Sequence, residues 1–538
     1  MRPNTPPHAL PQKPEPFRAY GPARPGQAIR ATLATAAAGT LLLTGCSSTD
    51  DAQSPAASSG QRPVDGGTLR YAVSGSPATA SNDPHGGLGN ESDLLRFALT
   101  YDVLTIPGKD GEPKPRLAAS WKPNKALNRW TFTLRDDAKF TDGRPVRAAD
   151  VLYSLRRIAD KAAENYGRLA DFDMKASKAE GDHTLVLATR APMAQAAKAL
   201  ESVSFVVPEG TTDKDFSKAV PGSGPFKVRS SGAQTAVLVR NDRWWGPRPH
   251  LDRMEIQAVA DPQARANAVT SGQADVAGSV SPAAVKSAGS SGTEVVRRKG
   301  VTEYPFIMRM DTEPFDDPGV REAFRLATDR KALVDTVFLG YGAIANDLPT
   351  PYDPSYPDGL PQRRRDITKA KELLKQAGHT DGLTVTLHTT TAYPGMDTAA
   401  TLYSRQLSEI GVKAEVKVET ADTYWTAVYA KKAFYTGYYG GISFPDLVRV
   451  GLLSTSPTNE TAWKNKEFDA GFTKAMGTLD AGRRNNLLAG IQRDLWKDGG
   501  YVVWGTGDGL DLAARGVRGL PDGPGFQRMF IDQVWLAK

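Results

Sequence analysis

Arg129-Trp-Thr-Phe-Thr-Leu-Arg135 alternates without a break, and Trp130, Phe132 and Leu134 fall on one face, as a half-buried strand requires. Thr141-Asp-Gly143 reads as a turn. The segment 148–158 then changes period, placing Val151, Leu155 and Ile158 on one helical stripe. Strand, turn and helix in quick succession set the pattern for the chain. Strands are expected over 67–73, 184–188, 202–207, 226–228, 236–240, 253–259, 304–310, 383–389, 412–419, 435–439 and 501–504. Helices are expected over 91–101, 262–271, 367–377, 396–410 and 423–431, as one long helix over 320–338, and as a pair within 467–496. Helices and strands that alternate without an internal repeat imply α/β sheets in more than one lobe.

The composition agrees with that reading. With 538 residues, 40% apolar and 24% charged, the chain has material for several folding units of roughly 100–200 residues each. This balance excludes an integral membrane transporter, a collagen-like fibre and a mostly disordered chain. The net charge is +7, but residues 1–45 hold five basic groups (Arg2, Lys13, Arg18, Arg24, Arg30) against Glu15, so +4 of it precedes the body. The other basic clusters, Arg297–Arg298–Lys299 and Arg363–Arg364–Arg365, are short and far apart. No basic stripe with interleaved aromatics points to nucleic acid.

One cysteine in so long a chain excludes a disulfide framework and any multi-Cys metal site. Its position is informative. Arg30 precedes the apolar run 31–43, too short for a bilayer span of roughly twenty residues but suited to a signal-peptide core. Leu43-Thr-Gly-Cys46 resembles the lipobox of bacterial lipoproteins, in which the thiol takes the lipid and the Cys becomes the N-terminus. A signal peptide over 1–45 is therefore expected, with Cys46 as lipid anchor. Residues 46–66, rich in Ser, Ala, Asp, Pro and Gly, read as a flexible tether. The protein is then expected at the outer face of the cell membrane.

Catalytic signatures are missing. There is no Gly-x-Ser-x-Gly, Ser-x-x-Lys, His-Glu-x-x-His, Walker loop or Gly-x-Gly-x-x-Gly. No two of the six histidines have helical metal-ligand spacing. No catalytic residue, metal or cofactor is expected, and the chain is read as a non-enzyme.

Several segments, in order, resemble the extracytoplasmic solute-binding proteins of peptide/nickel-type ABC importers, the dipeptide/oligopeptide-binding family. They are Ser81-Asn-Asp-Pro-His85, Pro115-Arg-Leu-Ala-Ala-Ser-Trp121, Trp130 to Arg135, Phe140 to Ser154, and Pro221-Gly-Ser-Gly-Pro-Phe226. Arg240-Asn-Asp-Arg-Trp-Trp-Gly246, Gly272-Gln-Ala-Asp-Val276, Val320 to Arg330, Ala370 to Gly378, Glu467-Phe-Asp469 and Val517-Arg-Gly-Leu520 continue the match. Most read as scaffold: Trp121, Trp130 and Phe132 as core, Gly143, Gly222 and Gly224 as turns, and Arg321, Arg325 and Arg330 as a solvated or salt-bridged face. The resemblance implies an α/β, two-lobed periplasmic-binding-protein-like clamp of the large type II class. Its discontinuous lobe I spans 66–100, 211–300 and 501–538, with an extra subdomain over 101–210; lobe II spans 301–500. Hinge strands near 300 and 500 join them, and ligand sits between the lobes. The implied partners are a peptide or peptide-like solute and separate ABC permease and ATPase subunits, the protein itself being a monomer.

The ligand anchors depart from the family pattern. Typical peptide binders hold the ligand ammonium with an Asp after a Gly-Trp segment. Here the run is Gly437-Tyr-Tyr-Gly-Gly-Ile-Ser-Phe-Pro-Asp446, and Gly441 falls at that position unless a shifted alignment makes Asp446 the acid. Tyr393 and its neighbours occupy the place of the carboxylate-binding cation. The candidate ligand contacts are Asp83, His85, Tyr393, Tyr438, Tyr439, Gly440, Gly441, Ser443 and Asp446. A ligand without free peptide termini, or one stacked on tyrosines, follows from these departures. A lipoprotein signalling adaptor, a binder of a non-peptide solute and, further off, a secreted enzyme are the alternatives. An importer gene cluster, the identity of the bound solute, and turnover distinguish them.

Overall fold

Trp130, Phe132 and Leu134 lie 4%, 0% and 4% exposed, on one face of the strand Arg129–Leu134. That strand is central in a four-stranded antiparallel sheet ordered Ala118–Pro123, Arg129–Leu134, Thr184–Thr189, Phe172–Glu180. Val151, Leu155 and Ile158 of the helix Ala148–Asp160 join the same core. Each large apolar side chain buried here contributes roughly 1.5–3 kcal/mol. Trp130 also donates its indole N–H to the Met193 carbonyl at 2.9 Å, so its polar atom is not stranded. The computed structural model describes residues 62–86, 90–109, 111–161, 169–201, 204–289, 292–523 and 525–537. The expected signal peptide and Cys46 lie outside them. No helix among the described residues is long and apolar enough to cross a membrane.

Two larger sheets complete the body. The nine-stranded sheet runs Tyr439–Gly440, Thr293–Glu303, Gly505–Ala514, Val276–Ala277, Thr68–Val73, Arg253–Ala258, Thr235–Arg240, Phe226–Ser231, with Gly342–Ile344 also paired to Gly505–Ala514. The five-stranded sheet runs Val412–Glu419, Leu383–Thr390, Phe434–Thr436, Phe306–Met308, Tyr501–Val502. Each has its own apolar core. The chain crosses between them several times, and two of the crossings run from Glu303 to Phe306 and from Val502 to Gly505. These passages are antiparallel neighbours, with Glu303 opposite Thr506 and Phe306 opposite Val502.

The family-like motifs interlock as scaffold. Asp102 accepts Arg116 Nε at 2.8 Å and the indole N–H groups of Trp244 and Trp245 at 3.1 and 2.8 Å. The Arg116 guanidinium lies 4.6 Å over the Trp244 ring. Gly222 is needed because a Cβ there would meet the Thr100 carbonyl oxygen at 1.9 Å.

Some elements differ from expectation. The helix expected over 320–338 is two, Pro318–Ala327 and Arg330–Phe338, because the Asp329 carboxylate takes the Ala332 N–H at 2.9 Å and caps a new start. The arginines of this region are not a solvated face: Arg321, Arg325 and Arg330 are 5%, 2% and 4% exposed. They donate to main-chain carbonyls, Arg321 at Phe315 and Arg325 at Tyr501, while Arg330 pairs with Asp347 at 2.6 Å. Residues 204–207 form no strand ladder. Phe205, Val206 and Val207 are fully buried, but Val207 N–H bonds the Ser154 hydroxyl and Val206 N–H the Asp102 carbonyl. The strand expected over 435–439 divides into Phe434–Thr436 and Tyr439–Gly440, which belong to different sheets.

Candidate functional site

The segment 437–443 lies where the chain passes between the two large sheets. Tyr439 pairs with Glu303 and Gly440 with Thr302, which fixes the register. Neighbouring side chains on extended backbone point to opposite sides, so Tyr438 and Tyr439 part company. Tyr439 is buried and donates its hydroxyl to Glu460, which also receives the Tyr501 hydroxyl. Burial pushes the Glu460 carboxyl up to about 7, against the hydrogen bonds from those tyrosines.

Tyr438 faces the other way. Its ring stacks on Tyr393 with centroids 3.6 Å apart and planes 13° from parallel, and Tyr304 lies 5.6 Å away. Tyr304 continues onto Phe338 at 5.6 Å, and Trp425 meets Tyr393 edge-on at 6.1 Å. Burial, then the neighbouring Tyr393 and Tyr304, push the Tyr438 hydroxyl well above its ordinary pKa, with Arg528 opposing. A Cβ on Gly440 would stand 2.8 Å from the Tyr438 hydroxyl, so its absence leaves that ring room, and Gly441 has φ +70°, the backbone conformation that favours glycine. Beneath it, Glu303 is fully buried, accepts the Thr350 N–H at 2.8 Å, and is pushed up to about 8 by burial. Tyr352 donates its hydroxyl to the Ile442 carbonyl at 3.0 Å.

Ser443 caps the short helix Phe444–Leu447 and donates its hydroxyl to Asp446 at 2.6 Å. Asp446 also takes Arg449 at 2.9 Å, and Arg449 reaches Asp171 at 2.6 Å. The Asp446 carboxylate is thus held by a cap and an ion pair. Asp83 and His85 are held at another junction. Asp83 takes Arg157 on both oxygens at 2.6 Å and Lys161 at 2.8 Å. Burial would raise its carboxyl, but the Arg157 and Lys161 hydrogen bonds prevail and hold it well below the usual range. His85 is 1% exposed, meets the Phe205 carbonyl through Nε2 at 2.7 Å, and is pushed down to about 4 by burial. The structure therefore brings together Tyr393, Tyr438, Gly440 and Gly441, while the other candidates serve internal contacts.

A polar cluster near this turn was not read from the sequence. Glu91 accepts the Ser279 hydroxyl at 3.1 and 2.8 Å and pairs with Arg528. Asp511 takes Arg298 on both oxygens at 2.8 Å and the Ser279 N–H at 2.8 Å. Its members are scattered from Glu91 to Arg528, and no local motif marks them. Among the described residues, no group of three or more His, Cys, Asp and Glu is placed to hold a metal.

Two α/β lobes joined by paired chain passages, with aromatic and charged side chains at the junction, define a solute-binding clamp. Residues 112–461 match the model of the bacterial extracellular solute-binding proteins, family 5 (middle region). The chain belongs to this family, whose members bind solutes for ABC importers and are not enzymes. Among its relatives, the glutathione-binding protein GsiB of Salmonella typhimurium is 26% identical over 467 residues, covering 81% of this chain and 91% of that protein. The dipeptide-binding protein DppE of Bacillus subtilis is 25% identical over 503 residues, covering 85% and 90%. The periplasmic binding protein DppA of Helicobacter pylori, solved with the peptide STSA, superposes with a TM-score of 0.76 at 22% identity, covering 88% and 99%.

Proposed function

We propose that this protein is a lipid-anchored, monomeric binding protein that captures a peptide-like solute between its lobes and delivers it to an ABC permease and its ATPase. The observation that carries the reading is the Tyr393–Tyr438 stack, set on a glycine turn beside both chain passages. Concave sites at lobe junctions with aromatic walls are the ordinary place for small ligands. The names of GsiB and DppE and the peptide bound to the H. pylori protein favour cargo of peptide size. Lobe I is assigned to 66–100, 211–300 and 501–538, its subdomain to 101–210, and lobe II to 301–500. Closure is a hinge motion at the two passages.

Mass spectrometry of solute released from the purified, denatured protein tests the cargo. A stoichiometric peptide-like species is expected, and conversion of that species to a product by the native protein would make the protein an enzyme. The anchor is tested by Cys46→Ser, which should move the protein out of the membrane fraction; unchanged fractionation removes Cys46 from that role.

A further inference from the structure

Two buried guanidiniums, Arg265 and Arg298, and the half-buried Arg528 face two carboxylates, Glu91 and Asp511, where the Gly525–Met529 turn approaches the tyrosine loop. The approach is close, since a Cβ on Gly525 would lie 3.1 Å from the Gly441 carbonyl oxygen. The charges are unequally satisfied. Arg298 and Asp511 close on each other in a bidentate pair at 2.8 Å. Arg265, 3% exposed, spends its donors on the carbonyls of Gly278, Ser279, Val259 and Ala260. Asp261, which also acts on Arg265, is exposed and caps the helix Pro262–Thr270.

Arg528 differs from both. Among the described residues, its guanidinium donates only to Glu91, and its side chain keeps 20% exposure. A guanidinium has five N–H donors and matches a carboxylate along either edge. One edge therefore remains for an incoming anion without displacing Glu91. The acids nearby are committed: Glu91 to Ser279 and Arg528, Asp511 to Arg298 and the Ser279 N–H, Asp446 to Ser443 and Arg449. The cluster thus offers an anion a partner and offers an ammonium none.

We propose that Arg528 is the anion-reading residue of the site, and that the solute carries a carboxylate beside a planar or apolar group that lies against Tyr438. The inference rests on the solute-binding reading and names the charge which that reading leaves open. It also places this contact on lobe I, so a ligand held by Arg528 and by the lobe II tyrosines bridges the lobes.

The test uses the purified full-length protein, freed of bound solute, and a mixture of N-acetylated aromatic dipeptides offered as free acids and as C-terminal amides. Retained species are measured by mass spectrometry. The acids should be retained at least about tenfold better than the amides, the scale of one charge-assisted hydrogen-bond pair. Arg528→Gln should erase that preference and Arg528→Lys should keep part of it. Glu91→Gln, which removes the competing anion, should leave acid retention equal or stronger, with thermal melting to check that each variant is folded. Equal retention of acids and amides by the wild-type chain overturns the inference and leaves solute binding standing. So does a Glu91→Gln loss equal to that of Arg528→Gln in folded protein, since the pair is then structural. Retention of neither form overturns the peptide-like reading and the inference with it.

Discussion

On the reading that Gly441 takes the place of a peptide binder's acid, the alternative acid, Asp446, five residues on, is held by Ser443 and Arg449. A free peptide amine therefore lacks a charge-assisted partner worth about 1.5–3 kcal/mol, roughly ten- to a hundredfold in affinity. N-acetylated peptides are expected to bind at least as well as their free counterparts in calorimetry on matched pairs. A loss of more than tenfold on acetylation would restore an acid at the amine. Glu303, under the same turn, makes a second prediction. Its folded-state value of about 8 lies above the ordinary 4.5, so the folded chain keeps a proton that the unfolded chain has released. Stability contributed by this group is complete below about pH 4.5 and is lost as pH rises towards 8, by on the order of 4 kcal/mol. Glu303→Gln keeps the shape without the charge. Its melting temperature should fall less than that of the wild type between pH 6 and 8, and parallel declines would mean that Glu303 ionises without cost.

Among the elements, Asp329 shows how one side chain overrides a helical period. Apolar spacing runs through 320–338, but Asp329 caps Arg330–Phe338 and its N–H bonds Gln406 Oε1 at 2.9 Å. Asp329→Ala should cost about 1 kcal/mol, read as a lower urea midpoint. An unchanged midpoint would assign the break to Gln406 alone. Such a cap is a local signal and was available in the sequence, as was the strict alternation of 129–135. The long pair Thr293–Glu303 and Gly505–Ala514 was not: Gly505-Thr-Gly-Asp-Gly509 lacks alternation, and the partners are far apart in sequence. The apolar run 204–207 misled for the opposite reason, being buried with its amides satisfied by a side chain and a lone carbonyl. The site divides along the same line. Tyr438 stood out in a tyrosine–glycine run, and the opposite facing of Tyr439 follows from extended backbone. Glu91 and Arg528 meet only because the final segment returns to the first helix.

For the molecule as a whole, the cargo reading depends on motion between two separately packed cores. The main passages, Glu303–Phe306 and Val502–Gly505, run side by side, so a bend at Tyr304–Pro305 has its counterpart at Val503–Trp504. The Tyr304 and Trp504 rings also lie 6.4 Å apart, tilted by 32°, and lead into the wall formed by Tyr438. Bending there would alter the aromatic surface and the approach of Arg528 together. Away from the hinge, Arg449 meets Asp171 at 2.6 Å and the Ala194 N–H meets the Met476 carbonyl at 2.7 Å. An exposed ion pair adds at most about 1 kcal/mol, so these contacts alone are too weak to hold the clamp shut. Ligand must supply the rest by binding one arrangement better than the other. Small-angle scattering should therefore show a smaller radius of gyration when the solute identified by mass spectrometry is added to ligand-free protein. Arg449→Ala should widen the ligand-free state without preventing closure by ligand. An identical radius with and without bound solute would remove the hinge from the mechanism and leave a preformed, rigid site.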